Sequence, residues 1–262
     1  MIDLNLSGKK AVVTGASLGI GAAAVRELAD LGAEVTFCAR SSEAVAELAD
    51  YLPENGGGNV IGHTADMSDA ESTTAFLARV EENGGADILV NNVGASPSRN
   101  FLYMSDEEWQ EGFQLNLMSA VRCTRALLPK MRKQKWGRIV MIASAAAKNP
   151  GAALIDYGAT KAAMISVSKS LAKKYGADGV LVNSVLPGLI HTSMWERAAT
   201  EIAEATGSTM MDVINNNGKN VPVGRYGTAE EVAAVIAFLC SNSASYVNGI
   251  SMEVDGGQAN YL

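Results

Sequence analysis

Seven short β-type stretches, several of them almost wholly apolar, alternate along this chain with longer amphipathic ones. The short stretches cover 10–14, 34–39, 59–63, 87–91, 138–143, 180–186 and 250–254. A strand buried on both faces has no polar side to present, so it reads as an apolar run rather than as an alternation. The longer stretches, at 20–31, 43–51, 69–83, 106–134, 157–175 and 229–241, repeat their apolar residues at helical spacing. Repeated strand–helix–strand order predicts an α/β chain: a doubly wound parallel sheet with helices on both faces. Nothing of linker composition divides the 262 residues, so 1–262 is expected to form a single domain.

Composition excludes several functions. With 28 acids against 21 bases the formal charge is −7, so there is no basic excess to neutralise a nucleic-acid backbone. The longest apolar run, 232–240, is too short to cross a bilayer. The opening MIDLNLSGKK lacks the apolar core of a signal peptide. Cys38, Cys123 and Cys240 are isolated, and two histidines, His63 and His191, offer no metal-binding spacing. The expectation is a cytoplasmic protein that holds no metal and binds neither membrane nor nucleic acid.

The first strand runs into Thr14-Gly15-Ala16-Ser17-Leu18-Gly19-Ile20-Gly21, and a helix follows. Glycines permit a tight turn and a close backbone approach to phosphate oxygens, and a helix N-terminus offers free N–H groups to a pyrophosphate. Strand before and helix after are the context such a loop requires. The second strand ends in Ala39-Arg40-Ser41-Ser42, with no acid between Val35 and Ser42. An NAD site places a carboxylate here, against the ribose 2′-hydroxyl. Arg40 offers instead a guanidinium that can fork onto a 2′-phosphate. NADP(H) is therefore the favoured cofactor, with NAD(H) possible.

Several motifs fall in order: TGASLGIG at 14–21, Asp66, NNVG at 91–94, Asn116, Ser144, YGATK at 157–161, VLPG at 185–188 and EVDGG at 253–257. The ordered set resembles the short-chain dehydrogenase/reductase family in its one-domain subtype, over nearly the whole chain. The resemblance implies a Rossmann-type fold and an oxidoreductase that interconverts ketones and secondary alcohols. Two departures stand out: Val93 where the family often has alanine, and Leu18 where it often has a base, which leaves Arg40 to carry more of the NADP preference.

Tyr157 and Lys161 lie four apart on an expected helix and so share one face. A nearby ammonium favours the phenolate and lowers the tyrosine pKa, as does a helix N-terminus. The resemblance assigns Tyr157 the proton transfer to the carbonyl oxygen and Lys161 a grip on the nicotinamide ribose. Ser144, at a strand end, can donate to the developing alkoxide. The resemblance gives Asn116 a water in a proton relay through the lysine. It places Gly15, Ser17, Leu18, Gly19, Ile20 and Gly21 at the phosphates, with Arg40 and Ser41 at the ribose. Asp66 and Met67 flank the adenine. Asn92, Val93 and Gly94 form the floor, with Pro187, Gly188, Ile190 and Thr192 by the nicotinamide.

The stretch 189–221 breaks the strand–helix rhythm beyond a strand's carboxyl end, where ligands bind in such sheets, and is expected to be a substrate lid. Ser96, Ser144, Ala145, Leu154, Ile155, Tyr157, Leu189, Met194 and Trp195 are the expected pocket lining, mostly apolar or small. His191 reads as a surface histidine and Arg99 as a solvated loop residue. A largely apolar ketone or secondary alcohol is the expected substrate. A 3-oxoacyl thioester reductase is the alternative, and a cofactor-sensing regulator without turnover a third. By the same resemblance, the helices 106–134 and 157–175 should pack between subunits of a homo-oligomer, a dimer or tetramer.

Overall fold

The computed structural model of the chain describes residues 3–53 and 57–260, leaving aside the side chains of Ser193, Met194, Arg197 and Ala198. Its strands are β1 (Lys10–Thr14), β2 (Glu34–Ala39), β3 (Val60–Thr64), β4 (Ile88–Asn91), β5 (Gly137–Ile142), β6 (Val180–Pro187) and β7 (Ser251–Val254). They form one parallel sheet in the order β3-β2-β1-β4-β5-β6-β7. Because every strand points the same way, Thr14, Ala39, Asn91, Ile142 and Pro187 all finish on one edge. The winding reverses between β1 and β4, and that reversal opens a crevice at the edge.

Alternate strand residues face opposite layers. Ala11, Val13, Ile88, Val90, Val140 and Ile142 pack with α1 (Gly19–Asp30), α2 (Ser42–Ala49) and α9 (Ala229–Cys240). Val12, Leu89, Ile139, Met141 and Leu186 pack with α3 (Ala70–Glu82), α5 (Ser119–Lys133) and α6 (Ile155–Tyr175). Ala23 on α1 meets Ala229 and Ala233 on α9, small residues that let the two helices approach closely.

Observed boundaries differ from the expected ones by a residue or two in most elements. The expected helix 106–134 is one helical rod with a fault in it. It begins as α4 (Asp106–Phe113), widens into a π-helical turn at Gln114–Met118, and resumes as α5. The stretch after β6 folds into two helices, α7 (Ser193–Thr206) and α8 (Met210–Gly218). Ala199, Ala203, Val213, Ile214 and Tyr226 form a small hydrophobic cluster of their own there.

Candidate active site

The turn after β1 depends on its glycines. Gly15 and Gly19 have φ of 69° and 58°, a region that side chains disfavour. A Cβ on Gly21 would lie 2.5 Å from Asn92 Nδ2. That amide ties the turn to the end of β4, donating to the Thr14 and Gly15 carbonyls at 3.2 and 2.8 Å. Val93 crowds the same place: a Cβ on Gly15 would come 3.0 Å from Val93 Cγ2. The exposed Leu18 starts α1 without a side-chain cap, and the helix has no acid in its first turn. Thr192 closes over the turn from the far side, its Cγ2 3.0 Å from where a Gly19 Cβ would be.

A second group gathers around Gly94. A Cβ there would lie 3.1 Å from both Asn116 Oδ1 and Lys161 Nζ. Asn116, buried in the π turn, bolts the loop after β4 in place: Oδ1 accepts the Ala95 N–H at 2.8 Å and Nδ2 donates to the Ala95 carbonyl at 3.1 Å. π turns inside helices are frequent at functional sites. Lys161 is 2% exposed and donates to the Ile142 carbonyl at 2.8 Å. Its Nζ sits 5.7 Å from the centre of the Tyr157 ring. Tyr157 hydrogen-bonds Ser144, which begins the short 3₁₀ turn after β5 and accepts the Ala146 N–H at 3.1 Å.

The electrostatics depart from the sequence expectation. Burial pushes the Tyr157 phenol above its ordinary value, against the smaller downward pull of Ser144. Burial also drives Lys161 down to about 7. The expected lowering of the tyrosine by a neighbouring ammonium does not set its direction, because burial disfavours the charged form of both groups.

Comparison with known proteins gives the family. A family model described as short chain dehydrogenase matches residues 9–203. An uncharacterized oxidoreductase, YvrD, of Bacillus subtilis is 41% identical over 98% of both chains. A 3-oxoacyl-(acyl-carrier-protein) reductase of Vibrio cholerae is 38% identical over 97% of this chain and 98% of its own. The chain belongs to the short-chain dehydrogenase family. It is an oxidoreductase acting on CH–OH groups. Among solved structures, L-sorbose reductase from Gluconobacter frateurii, complexed with NADPH and L-sorbose, superposes with a TM-score of 0.95 at 37% identity. That match covers 99% of this chain and all of the reductase.

Around the glycine turn of this short-chain dehydrogenase, other expected residues take varied places. Arg40 is exposed just past β2. Asp66 lies within its electrostatic reach, held below its ordinary pKa first by the Ser68 hydroxyl and N–H and then by the Arg40 charge. Ser41 is engaged locally, accepting the Ala44 N–H at 3.2 Å as the cap of α2 and donating to Glu43 at 2.7 Å. Met67 is buried in the core, as is the side chain of Ile190. Pro187 and Gly188 turn against the C-terminal segment: a Cβ on Gly188 would lie 2.7 Å from Asp255 Cβ.

On the substrate side, Ser96, in the loop after β4, and Leu154 and Ile155, just ahead of Tyr157, are half-buried. Leu189 and Trp195 pack onto the cluster between α7 and α8. The side chain of Met194 lies outside the described residues. His191 is 46% exposed, with Nε2 3.3 Å from Glu196. The expectation for Arg99 needs correction, because it is not solvated. Its side chain is 17% exposed and its guanidinium lies 2.9 Å from Asp156. Sequence reading missed this pair because its members stand 57 positions apart, and an isolated loop arginine gives no sign of a partner.

Among the described residues, no helix is long and apolar enough to cross a membrane.

Proposed function

We propose that this enzyme is an NADP(H)-dependent reductase that turns a ketone on a small, largely apolar molecule into a secondary alcohol. The observation that carries the reading is a half-buried phenol hydrogen-bonded to a serine hydroxyl beside a dry lysine, next to a glycine cradle at the switch point of the sheet. That cradle, which a single Cβ at Gly21 would fill, fits the pyrophosphate of a dinucleotide. Gly15, Gly19 and the start of α1 would hold the phosphates, Arg40 a 2′-phosphate, and Lys161 the nicotinamide ribose. When bound, the nicotinamide supplies or accepts the hydride.

The chain's own residues handle the proton. Tyr157 donates its phenolic proton to the carbonyl oxygen as negative charge develops there, and Ser144 donates a hydrogen bond to the same oxygen. Asn116 holds the Ala95 backbone beside Lys161, where a water relay would run. A phenol kept protonated at neutral pH suits reduction better than oxidation. The NADPH in the sorbose reductase, and a strand end with no acid between Val35 and Ser42, support the cofactor choice. The stretch 189–221 would act as a lid over the substrate.

A second reading, reduction of 3-oxoacyl thioesters, is favoured by the name of the Vibrio cholerae relative. The net charge of −7 opposes docking of an acidic carrier protein. Self-association through α5 and α6 would accompany either reading. A groove of about 290 Å³ between them, lined by Val121, Leu128, Val167 and Leu171 with Arg125 and Arg132, supports it.

The test is consumption of NADPH or NADH with L-sorbose, aryl and cyclic ketones, and acetoacetyl thioesters. Turnover of the aryl or cyclic ketones with NADPH supports the first reading, and turnover confined to L-sorbose would overturn its apolar substrate. Turnover confined to thioesters supports the second, and turnover of none would overturn both.

A further inference from the structure

Arg99 is the hub of three segments that converge on the cleft. It lies in the loop that leaves β4 and carries Gly94 and Ala95. One guanidinium nitrogen donates to Asp156 Oδ2 at 2.9 Å and to the Glu108 carbonyl of α4 at 2.8 Å. Its other nitrogens face the carboxylates of Glu108 and Glu111 at 3.7 and 3.9 Å. Its own N–H reaches the Ala153 carbonyl, just ahead of α6, at 3.3 Å. A Cβ on Gly112 would come within 3.3 Å of Asp156 Oδ2, so α4 also presses on the pair.

The first turn of α6 needs such a tie. Its cap residue, Leu154, makes no side-chain hydrogen bond, and Asp156 is the one acid in that turn. The Asp156 carboxylate is nearly fully buried, and its Oδ1 has no hydrogen-bond partner among the described residues. A carboxylate this dry is costly unless a cation faces it. Tyr157 is the next residue, the third of the helix. Fraying of this turn would carry the phenol away from Ser144.

We propose that Arg99 is a positioning residue: through Asp156 it fixes the first turn of α6 against the β4 loop and α4, and so aims the Tyr157 hydroxyl. It acts on the chemistry through Tyr157 and touches neither substrate nor cofactor. The proposal deepens the reductase reading and rests on the acid–base role of Tyr157.

Three variants of the full chain test it: Arg99→Met, Arg99→Lys, and the double variant Arg99→Met/Asp156→Asn, which strands no buried charge. One readout is amide hydrogen exchange over residues 155–158, which requires no substrate. The others are NADPH affinity and the separate kcat and KM for a ketone reduced with NADPH, with an aryl ketone as the first probe. In Arg99→Met, exchange in the first turn should quicken about tenfold and kcat fall about tenfold or more, the scale of losing one charge-assisted contact, while NADPH affinity holds. Arg99→Lys should recover a large part of both. The double variant should fold normally and still show fast exchange and low kcat. Wild-type exchange and kcat in the double variant would overturn the proposal. So would a loss of NADPH affinity that matches the loss of kcat. Tyr157→Phe is run beside them. If it stays active, the acid–base reading itself fails; if it is dead while Arg99→Met behaves as wild type, only the positioning role fails.

Discussion

The β5–α6 wall and the 189–221 excursion meet near the glycine turn but are held by different means. The wall is continuous with the main core. Thr160 and Met164 are buried on either side of Lys161, and the lysine is bonded to the last carbonyl of β5. The excursion closes on itself. Its helices share a small cluster around Tyr226, Ile190 at its start packs into the main core, and a backbone bridge ties Ile190 to Gly227. A group fixed in the main core cannot escape its surroundings, so its pKa is displaced. A hairpin with its own small core can shift as a unit while exposing little apolar surface. Chemistry is therefore expected to reside in the wall, and substrate selection in the excursion.

The largest test falls on the wall. Tyr157→Phe should lower kcat by about 10³-fold, within the range for removing a general acid, while NADPH affinity, read by fluorescence titration, stays near wild type. The pH dependence has a definite sign. Because burial raises the phenol's pKa, wild-type reduction should hold level through neutral pH and fall once the phenol ionises. Oxidation of the alcohol should rise over that same alkaline limb. The variant should show neither limb, and a kcat near wild type would remove Tyr157 from the mechanism.

Next in size is the cofactor end of the sheet. Arg40→Asp puts a carboxylate where a 2′-phosphate would sit. The NADPH-over-NADH ratio of kcat/KM should drop about 10- to 100-fold, the scale of one charge-assisted hydrogen bond lost together with added repulsion. An unchanged ratio would place the discrimination on residues other than Arg40.

Much of the wall was legible in the sequence, and less of what supports it. The alternation of strands and helices, the glycine turn and the Tyr157–Lys161 pairing follow from local spacing, because neighbours along a strand or helix stay neighbours in space. The π turn at Gln114–Met118 left no periodicity signal: one wider turn inside a long amphipathic stretch barely shifts its phase. Arg99–Asp156, Lys148–Glu253 and the contact of Gly188 with Asp255 join positions far apart in the chain, which no local pattern reports. The direction of the Tyr157 shift depended on burial, a tertiary quantity that a Tyr-x-x-x-Lys spacing does not contain. The excursion, expected to be a lid, folds as the two helices α7 and α8 around a cluster of their own, a packing that its mixed polar and apolar pattern did not report.

Lys161 puts stability against function. Its pKa falls from near 10.4 in an unfolded chain to about 7 in the fold. Protonated lysine is thus disfavoured in the native state. The penalty is full below about pH 7 and is relieved as pH rises toward 10, so this group makes the protein more stable with rising pH across that window. Lys161→Met should abolish turnover and raise Tm at pH 7, on the order of 5 °C, less whatever is lost when the Ile142 carbonyl gives up its partner. The Tm gain should shrink as pH approaches 10. A lower Tm at pH 7 would mean that the hydrogen bond to Ile142 outweighs the burial of the amine.

The smallest effect is expected in the excursion, where it separates the two regions most sharply. Trp195 and Tyr226 meet edge to face, ring centres 5.7 Å apart at 79°, a contact worth about 1 kcal/mol beyond area burial. Tyr226→Leu keeps an apolar side chain there but removes that contact, loosening α7 from its anchor while leaving the sheet untouched. If α7 and α8 hold substrate, KM for the ketone should rise about fivefold, the equivalent of about 1 kcal/mol, with kcat, NADPH affinity and Tm near wild type. An unaltered KM would show that the pair takes no part in binding. A fall in kcat of the same size would show that the excursion helps to order the Tyr157 site, and the division between a fixed wall and a movable cover would no longer describe the molecule.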